Sequence, residues 1–198
     1  MKKKDLNSGR VNQKAQTRAN ILDAAKVLMK EKQSISLEDV ADKARLSRAT
    51  IYRYYSNVDV LLTEATLDIY HKSSREIYEE VKNMAFEERI FYIQHHYNQL
   101  AQNHELAFRR YLSAVLAMSV TSNEKLRGAR RVKSLNKALE DIKEDLGEDT
   151  IQKLIIAASV LMGIDALVVC KDVCDLDNEE SEEVLRWALK MILKGMAS

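Results

Sequence analysis

The sequence predicts an all-α protein in which a small N-terminal helical domain is followed by a larger helical bundle. The 198-residue chain has no proline and only five glycines, so few residues would interrupt a helix. Alanine, leucine, lysine and glutamate are plentiful, and no alternating pattern typical of strands persists. A chain of this length has room for a domain of about 60 residues and a second, larger one. We expect about nine helices in total.

Charge is distributed unevenly along the chain, although the formal net charge is only +1. Residues 1–57 contain 13 Lys and Arg against 6 Asp and Glu, whereas the rest of the chain contains 18 against 24. A basic segment beside an acidic one is typical of a domain that binds a polyanion. The N-terminal part is therefore expected to meet nucleic acid.

Basic residues are densest at the start of the chain. We expect residues 1–14 to form a flexible basic arm that enters a minor groove or follows the phosphate backbone. A charged terminus that only improves solubility, or a remnant of cloning, is the alternative. The basic residues of the arm and of its junction with the first helix are Lys2, Lys3, Lys4, Arg10, Lys14 and Arg18.

Residues 36–55 read as two short helices joined by a tight turn. Ser36 is expected to cap the first helix, and Asp39, three residues later, completes a capping box. Ala41 lies where the two helices must cross, and a larger side chain there would force them apart. Ser47 offers a second N-terminal cap.

The second short helix has an inward and an outward face. Ile51 and Tyr55 are four residues apart and would face the core. Because a helix fits the major groove of DNA, Arg48 would pair with guanine, and Ala49 and Thr50 would touch a base edge or a thymine methyl. The last residues of the helix would contact phosphates. The expected DNA-binding residues are Ser47, Arg48, Ala49, Thr50, Tyr52, Arg53 and Tyr54. The alternative is a helical hairpin of a bundle with a solvated basic face.

These motifs resemble the DNA-binding domain of TetR-type transcriptional regulators over residues 17–67. The matching segments are RANILDAAKVLMKEK, SLEDVADKARLSRATIYRYY and SNVDVLLTEAT. The resemblance implies a DNA-binding domain over residues 15–60, with its helix-turn-helix at 36–55, and a regulatory and dimerisation domain over residues 61–198. In that family the first aromatic residue of a block such as YRYY contacts a phosphate and the last lies in the core.

The sequence departs from the family pattern at two positions. Arg45 occupies the turn position that is usually glycine, so a positive φ there would carry modest strain. Val58 occupies a position that is often a phosphate-binding lysine. The amide groups at the start of the fourth helix are expected to serve the phosphate instead.

Beyond residue 57 the apolar spacing and the breaks predict further helices. A polar break at Thr121, Ser122 and Asn123 is expected to start one helix, and Gly147 is expected to end it. The predicted helices span residues 57–81, 86–102, 105–120, 123–146, 148–170 and 178–194.

The segment 154–170 is apolar nearly all round. A membrane span is one interpretation, but the segment is short for a bilayer and Asp165 would be costly inside it. A helix between its own core and a partner subunit is the other, and small residues such as Gly163 favour close helix packing. We therefore expect a homodimer through the last two helices, as the resemblance also implies, and no membrane contact. The expected stripe on the last helix is Leu185, Ala188, Met191 and Ile192.

The resemblance also implies a small-molecule effector that binds the C-terminal domain and releases the DNA. Aromatic and methionine side chains suit a hydrophobic ligand, although ordinary core packing with exposed histidines explains them as well. The candidate lining residues are Tyr92, His95, His96, Tyr97, Phe108, Tyr111, Met118 and Met162.

No metal site or cofactor is expected. Cys170 and Cys174 are four residues apart, which suits a redox pair or a metal, but buried reduced thiols are favoured because the histidines lie far away. A basic run over residues 127–137 is interpreted as a solvated face, with an anionic effector as the alternative.

The function predicted from these features is that of a cytoplasmic, sequence-specific DNA-binding regulator, a repressor rather than an activator. The N-terminus lacks the apolar core of a signal peptide. A helical interaction protein with a vestigial DNA-binding domain is the first alternative. A helical enzyme is the second, although the sequence has no phosphate loop, nucleophile elbow or HExxH zinc motif.

Overall fold

The computed structural model describes the backbone of residues 3–32, 34–55, 57–120 and 127–196. Side chains are described from residue 13 onward within these ranges, with the exception of Asp145. Over the described residues the regular elements are all helical and there is no strand, so the predicted all-α class is confirmed.

The described part of the chain forms a series of helices. The described elements are α1 (Lys3–Glu31), α2 (Leu37–Lys43), α3 (Arg48–Tyr54), α4 (Val58–Ile69), α5 (Ser74–Val81), α6 (Phe86–Asn103), α7 (Glu105–Ser119), α8 (Arg130–Ala138), a 3-10 turn (Glu140–Ile142), α9 (Lys143–Leu146), α10 (Glu148–Val160), α11 (Ile164–Asp172) and α12 (Asn178–Met196).

The first helix includes the backbone of residues 3–14, which the sequence assigned to a basic arm. The side chains of residues 1–12 lie outside the described part of the chain. The arm and its contacts with DNA therefore stay predictions.

The predicted helix over residues 57–81 is wrong, because the structure has two helices there. The break lies between α4 and α5, where Ser73 begins a new helix. The Ser73 hydroxyl accepts from the Glu76 amide at 3.2 Å, and the Glu76 carboxylate accepts from the Ser73 amide at 2.7 Å. This capping box satisfies two amides that would otherwise lack partners at a helix start.

The predicted helix that ends at Gly147 is also divided. Thr121, Ser122 and Asn123 lie outside the described residues, and α8 ends at Ala138 before the 3-10 turn and α9. Arg89 donates to the Ala138 carbonyl at 2.9 Å, which satisfies an acceptor at the end of α8. Gly147 has a φ of 81°, so it ends α9 as the sequence predicted.

The predicted apolar helix over residues 148–170 is two helices, α10 and α11, with a break at residues 161–163. Gly163 has a φ of 78°, a conformation that suits glycine. The Gly163 amide donates to Asn98 Oδ1 at 2.8 Å, and Arg131 donates to the carbonyls of Ser159 and Met162. These side chains satisfy the backbone groups that the break exposes.

Among the described residues no single helix is long and apolar enough to span a membrane. Only α10 and α11 taken together reach that length and composition, and the two are bent by 49° at their break.

The chain divides into two compact units. The first comprises Met1–Tyr70 and Arg110–Leu126, and the second comprises His71–Arg109 and Arg127–Ser198. The first unit thus contains α1 to α4 and most of α7. The core of the first unit includes Ile21, Ala25, Leu28, Val40, Ala41, Ile51, Tyr55 and Leu61. The core of the second unit includes Ile77, Ile90, Ile93, Tyr97, Leu135, Ile151, Ile155, Met162 and Leu189.

Candidate nucleic-acid interface

The start of α2 is fixed by the predicted capping box. Ser36 Oγ accepts from the Asp39 amide at 3.1 Å, and the Asp39 carboxylate accepts from the Ser36 amide at 2.9 Å. Lys32 donates to the same carboxylate and, together with Ser36, holds the pKa of Asp39 below its usual value. The cap therefore sets where α2 begins and how it leaves α1.

The turn between α2 and α3 has the strain that the sequence predicted. Arg45 has a φ of 55°, which is uncommon for a residue with a side chain. The Leu46 amide donates to the Ala41 carbonyl at 2.8 Å, which closes the turn. Ala41 is only 1% exposed, consistent with the close crossing of α2 and α3.

Helix α3 is capped by Ser47, as predicted. Ser47 Oγ accepts from the Thr50 amide at 3.1 Å and lies 2.8 Å from the Thr50 hydroxyl. Ile51 and Tyr55 are buried in the core, also as predicted. The Thr50 hydroxyl is therefore engaged with its own helix cap before any base approaches.

The outward face of α3 carries most of the predicted DNA-binding residues. Ser47, Arg48, Ala49, Tyr52 and Arg53 are exposed. The other two, at positions 50 and 54, are half-buried, and the second of these packs against the core of the first unit. The helix thus exposes a short basic and polar face, and an α-helix is an element that the major groove of DNA admits.

Glu38 on α2 also lies at this surface, beside the residues predicted from the sequence. The Tyr52 hydroxyl donates to Glu38 Oε1 at 2.8 Å. This hydrogen bond is the chief cause that raises the pKa of Tyr52 and lowers the pKa of Glu38. No sequence motif predicts the pair, because the crossing of α2 and α3 decides which of their side chains meet.

A network of charged and hydroxyl side chains contacts the C-terminal end of α3 through Tyr55. Glu64 on α4 accepts from Arg18 Nε at 2.9 Å, from Arg18 Nη2 at 2.5 Å and from the Tyr55 hydroxyl at 2.9 Å. Arg18 also donates to the Tyr111 hydroxyl at 3.3 Å. Burial and the Glu64 carboxylate raise the pKa of Tyr55, so this hydroxyl keeps its proton and remains a donor. The network ties the end of α3 to α1, α4 and α7.

The start of α4 lacks a basic side chain, as the sequence indicated. Val58 is half-buried and packs against the core of the first unit. Asn57 Oδ1 accepts from the Asp59 amide at 2.7 Å. One of the amides that was expected to serve a phosphate is therefore already paired with the helix cap.

The candidate effector residues are divided between the two units. Tyr111 and Met118 belong to the first unit, and the other six belong to the second. Tyr97 and Met162 are buried in the core of the second unit, where the Tyr97 hydroxyl lies 2.9 Å from Ser134 Oγ. In this respect the set resembles ordinary core packing more than the lining of one pocket.

Three of the candidates do line a common surface feature. Tyr92, His95 and His96 border an open groove of about 300 Å³ on α6. His71 is a further histidine of this unit, and its ring lies 5.8 Å from that of Tyr97. Burial lowers the pKa of His71 to about 4 and also lowers the pKa of His96, so both rings are neutral at pH 7.

Among the described side chains, the cysteines and acidic residues form no recognisable metal site. Over the ranges the structure describes, no three His, Cys, Asp or Glu side chains are grouped to hold an ion. Cys170 is buried and Cys174 is exposed, and both are free thiols.

The second unit exposes apolar side chains on its last helices. On α12 the exposed apolar residues differ from the predicted stripe, because Leu185 is buried against Ala166 and Cys170 of its own unit. The exposed large apolar residues of α10, α11 and α12, together with the residue that follows α11, are Ile156, Val160, Val169, Val173, Val184, Trp187 and Met191.

The capped helix pair, its small crossing residue and the exposed face of α3 define a helix-turn-helix DNA-binding protein. A family model described as "Bacterial regulatory proteins, tetR family" matches residues 21–65, from within α1 to within α4. The predicted resemblance is confirmed over residues 21–65, and this part of the chain is a DNA-binding domain of the TetR type. Neither the curated proteins nor the solved structures contain a match to the chain.

Proposed function

We propose that this DNA-binding regulator is a repressor that binds a near-palindromic operator as a homodimer and releases it when a small molecule binds the second unit. DNA binding is supported chiefly by one observation, the exposed face of α3. This face points away from the core because Ile51 and Tyr55, on the opposite side, are buried. Repression is favoured because a dimer over a promoter needs only to block polymerase. Such a protein acts in the cytoplasm.

The residues of α3 divide by role. Arg48, near the start of the helix, pairs with guanine, and Ala49 and Thr50 touch neighbouring base edges. The aromatic and basic residues at the end of the helix, positions 52 to 54, contact phosphates. Sequence preference therefore depends on Arg48, whereas overall affinity depends on the phosphate contacts.

Dimerisation is supported by the apolar surface of the last helices. Trp187 is 60% exposed and Val173 is 77% exposed, and both are costly to leave in water. A second copy related by a two-fold axis would cover them and would set two recognition helices about one DNA turn apart.

The proposed effector is a small hydrophobic molecule that binds the second unit. A hydrophobic ligand with an aromatic ring suits the groove bordered by Tyr92, His95 and His96, whose volume admits a small molecule. Release requires that the ligand bind better to a conformation in which the two recognition helices no longer match the groove spacing.

Selection of bound duplexes from a random pool tests this proposal. We expect enrichment of one near-palindromic sequence, whose two halves are about one helical turn apart. Light scattering on the same preparation should give the mass of a dimer. A pool that remains random after repeated rounds would contradict sequence-specific binding, whereas an enriched sequence without two-fold symmetry would contradict the dimer alone.

A further inference from the structure

Glu38 lies among the residues proposed to bind DNA, where an acidic group is unfavourable. It belongs to the first turn of α2, and the α3 residue Tyr52 donates a hydrogen bond to it at 2.8 Å. Tyr52 is 49% exposed, so this bond forms at the surface of the helix-turn-helix. The pair therefore lies where the phosphate backbone is expected to approach.

The hydroxyl of Tyr52 carries a single proton. A carboxylate accepts hydrogen bonds and does not donate them, and the same holds for a phosphate oxygen. Tyr52 can therefore donate to Glu38 or to a phosphate, but not to both at once. Any phosphate contact by the hydroxyl requires that its bond to Glu38 break first.

The charge of Glu38 adds to this competition. Its pKa is lowered, chiefly by the Tyr52 hydrogen bond and in smaller part by the charge of Arg48, so the carboxylate is ionised at neutral pH. A carboxylate released from Tyr52 would face the negative backbone without a donor. The same carboxylate attracts Arg48, which is assigned to guanine.

We propose that Glu38 limits DNA affinity by competing with a backbone phosphate for the Tyr52 hydroxyl. The inference rests on the proposed role of α3 in DNA binding and adds a residue that works against it. Because phosphate contacts carry no sequence information, Glu38 lowers the affinity for operator and unrelated duplexes by the same factor. Such a residue keeps the regulator weakly bound to the excess of non-operator DNA and easy to release.

The test is a double-mutant cycle on the full chain, measured by fluorescence anisotropy with a random-sequence duplex at one salt concentration. Glu38→Ala should raise the affinity about three- to tenfold, the range expected when one charge-assisted hydrogen bond no longer competes. Tyr52→Phe should lower the affinity. In the Tyr52→Phe background, the gain in affinity from Glu38→Ala should be no larger than the gain from the control substitution Asp42→Ala.

Asp42→Ala is the matched control, since it removes the same charge from the same helix. Asp42 is exposed on α2, one helical turn after Glu38. Thermal unfolding followed by circular dichroism shows whether each variant keeps its fold, and Ser36 and Asp39 still cap α2 in all of them.

The outcomes separate this inference from the proposed function. Wild-type protein that binds DNA in a salt-sensitive way, with Glu38→Ala equal to it or weaker, overturns the inference and leaves DNA binding intact. A gain from Glu38→Ala that is as large in the Tyr52→Phe background as in the wild-type background also overturns it, because repulsion alone would then suffice. If the wild-type protein binds no duplex, both the inference and the proposed function fail.

Discussion

Replacement of Glu64 by glutamine should destabilise the N-terminal unit more than any exposed charge change in the same unit. The Glu64 carboxylate accepts two hydrogen bonds from Arg18 and one from Tyr55. Glutamine keeps one acceptor oxygen but loses the charge, and its amide group would face the guanidinium donors. Arg18 would then be left largely buried without a counter-charge, since its side chain is only 19% exposed.

The structure sets the size of this effect. Breaking a fully buried pair costs about 3 to 5 kcal/mol. Because Arg18 keeps some contact with water, we expect a loss in the free energy of unfolding of about 3 kcal/mol, the lower end of that range. Glu31→Gln is the matched control on α1. Its pair with Lys43 is exposed on both sides, so its loss should be under about 1 kcal/mol.

Urea unfolding followed by far-ultraviolet circular dichroism measures both variants. The chain has one tryptophan, Trp187, which belongs to the second unit, so its fluorescence follows that unit separately. We expect the transition seen by circular dichroism to move to lower urea for Glu64→Gln. Equal midpoints for Glu64→Gln and Glu31→Gln would refute the supporting role of this network.

Three further predictions follow from the interface, the apolar surface and the turn. Arg48→Ala should mainly relax the preference for one DNA sequence, and an equal loss of affinity on every sequence would contradict its base contact. Arg53→Ala should weaken binding to all duplexes and reduce the salt slope of binding by about 0.9. Trp187→Glu should convert the dimer to a monomer, as measured by light scattering at micromolar concentration. A monomeric wild-type protein at that concentration would contradict the proposed dimer. Arg45→Gly should raise the free energy of unfolding by about 0.5 kcal/mol in urea titrations. Glycine relieves the positive φ at this position but adds backbone entropy to the unfolded chain, so the net gain is small. A lower free energy of unfolding would contradict strain at this turn.

The sequence predicted those parts of the DNA-binding unit that depend on short-range chemistry. Ser36 and Asp39 are three residues apart, so their capping box can be read directly, and the same holds for the Ser47 cap. Ile51 and Tyr55 share a helical face by spacing alone, and both are buried. The inward and outward sides of α3 were therefore predictable.

The missed features depend on residues far apart in the chain. The break before α11 is stabilised by Arg131 and Asn98, which lie 31 and 65 residues from the backbone groups they bind. Apolar periodicity continues through that break, so the sequence pattern predicted a single helix. The break before α5 does carry a local signal, the Ser73 capping box, although the apolar spacing predicts one continuous helix there.

The supporting side chains of the interface were missed for the same reason. The sequence places Arg18 among the basic residues of the arm and its junction with the first helix, but its partner Glu64 lies 46 residues later. Tyr111 is a predicted effector contact, whereas in the structure it hydrogen-bonds Arg18 in the first unit. Only the packing of α1, α4 and α7 brings these three side chains together.

The most direct test of DNA recognition by α3 compares the duplex selected from the random pool with a shuffled duplex of the same composition. Anisotropy titrations at several salt concentrations give both affinities and their salt slopes. We expect the selected duplex to bind at least about a thousandfold more tightly, and both affinities to fall steeply as salt rises. Equal affinity for the two duplexes, with no dependence on salt, would contradict the account.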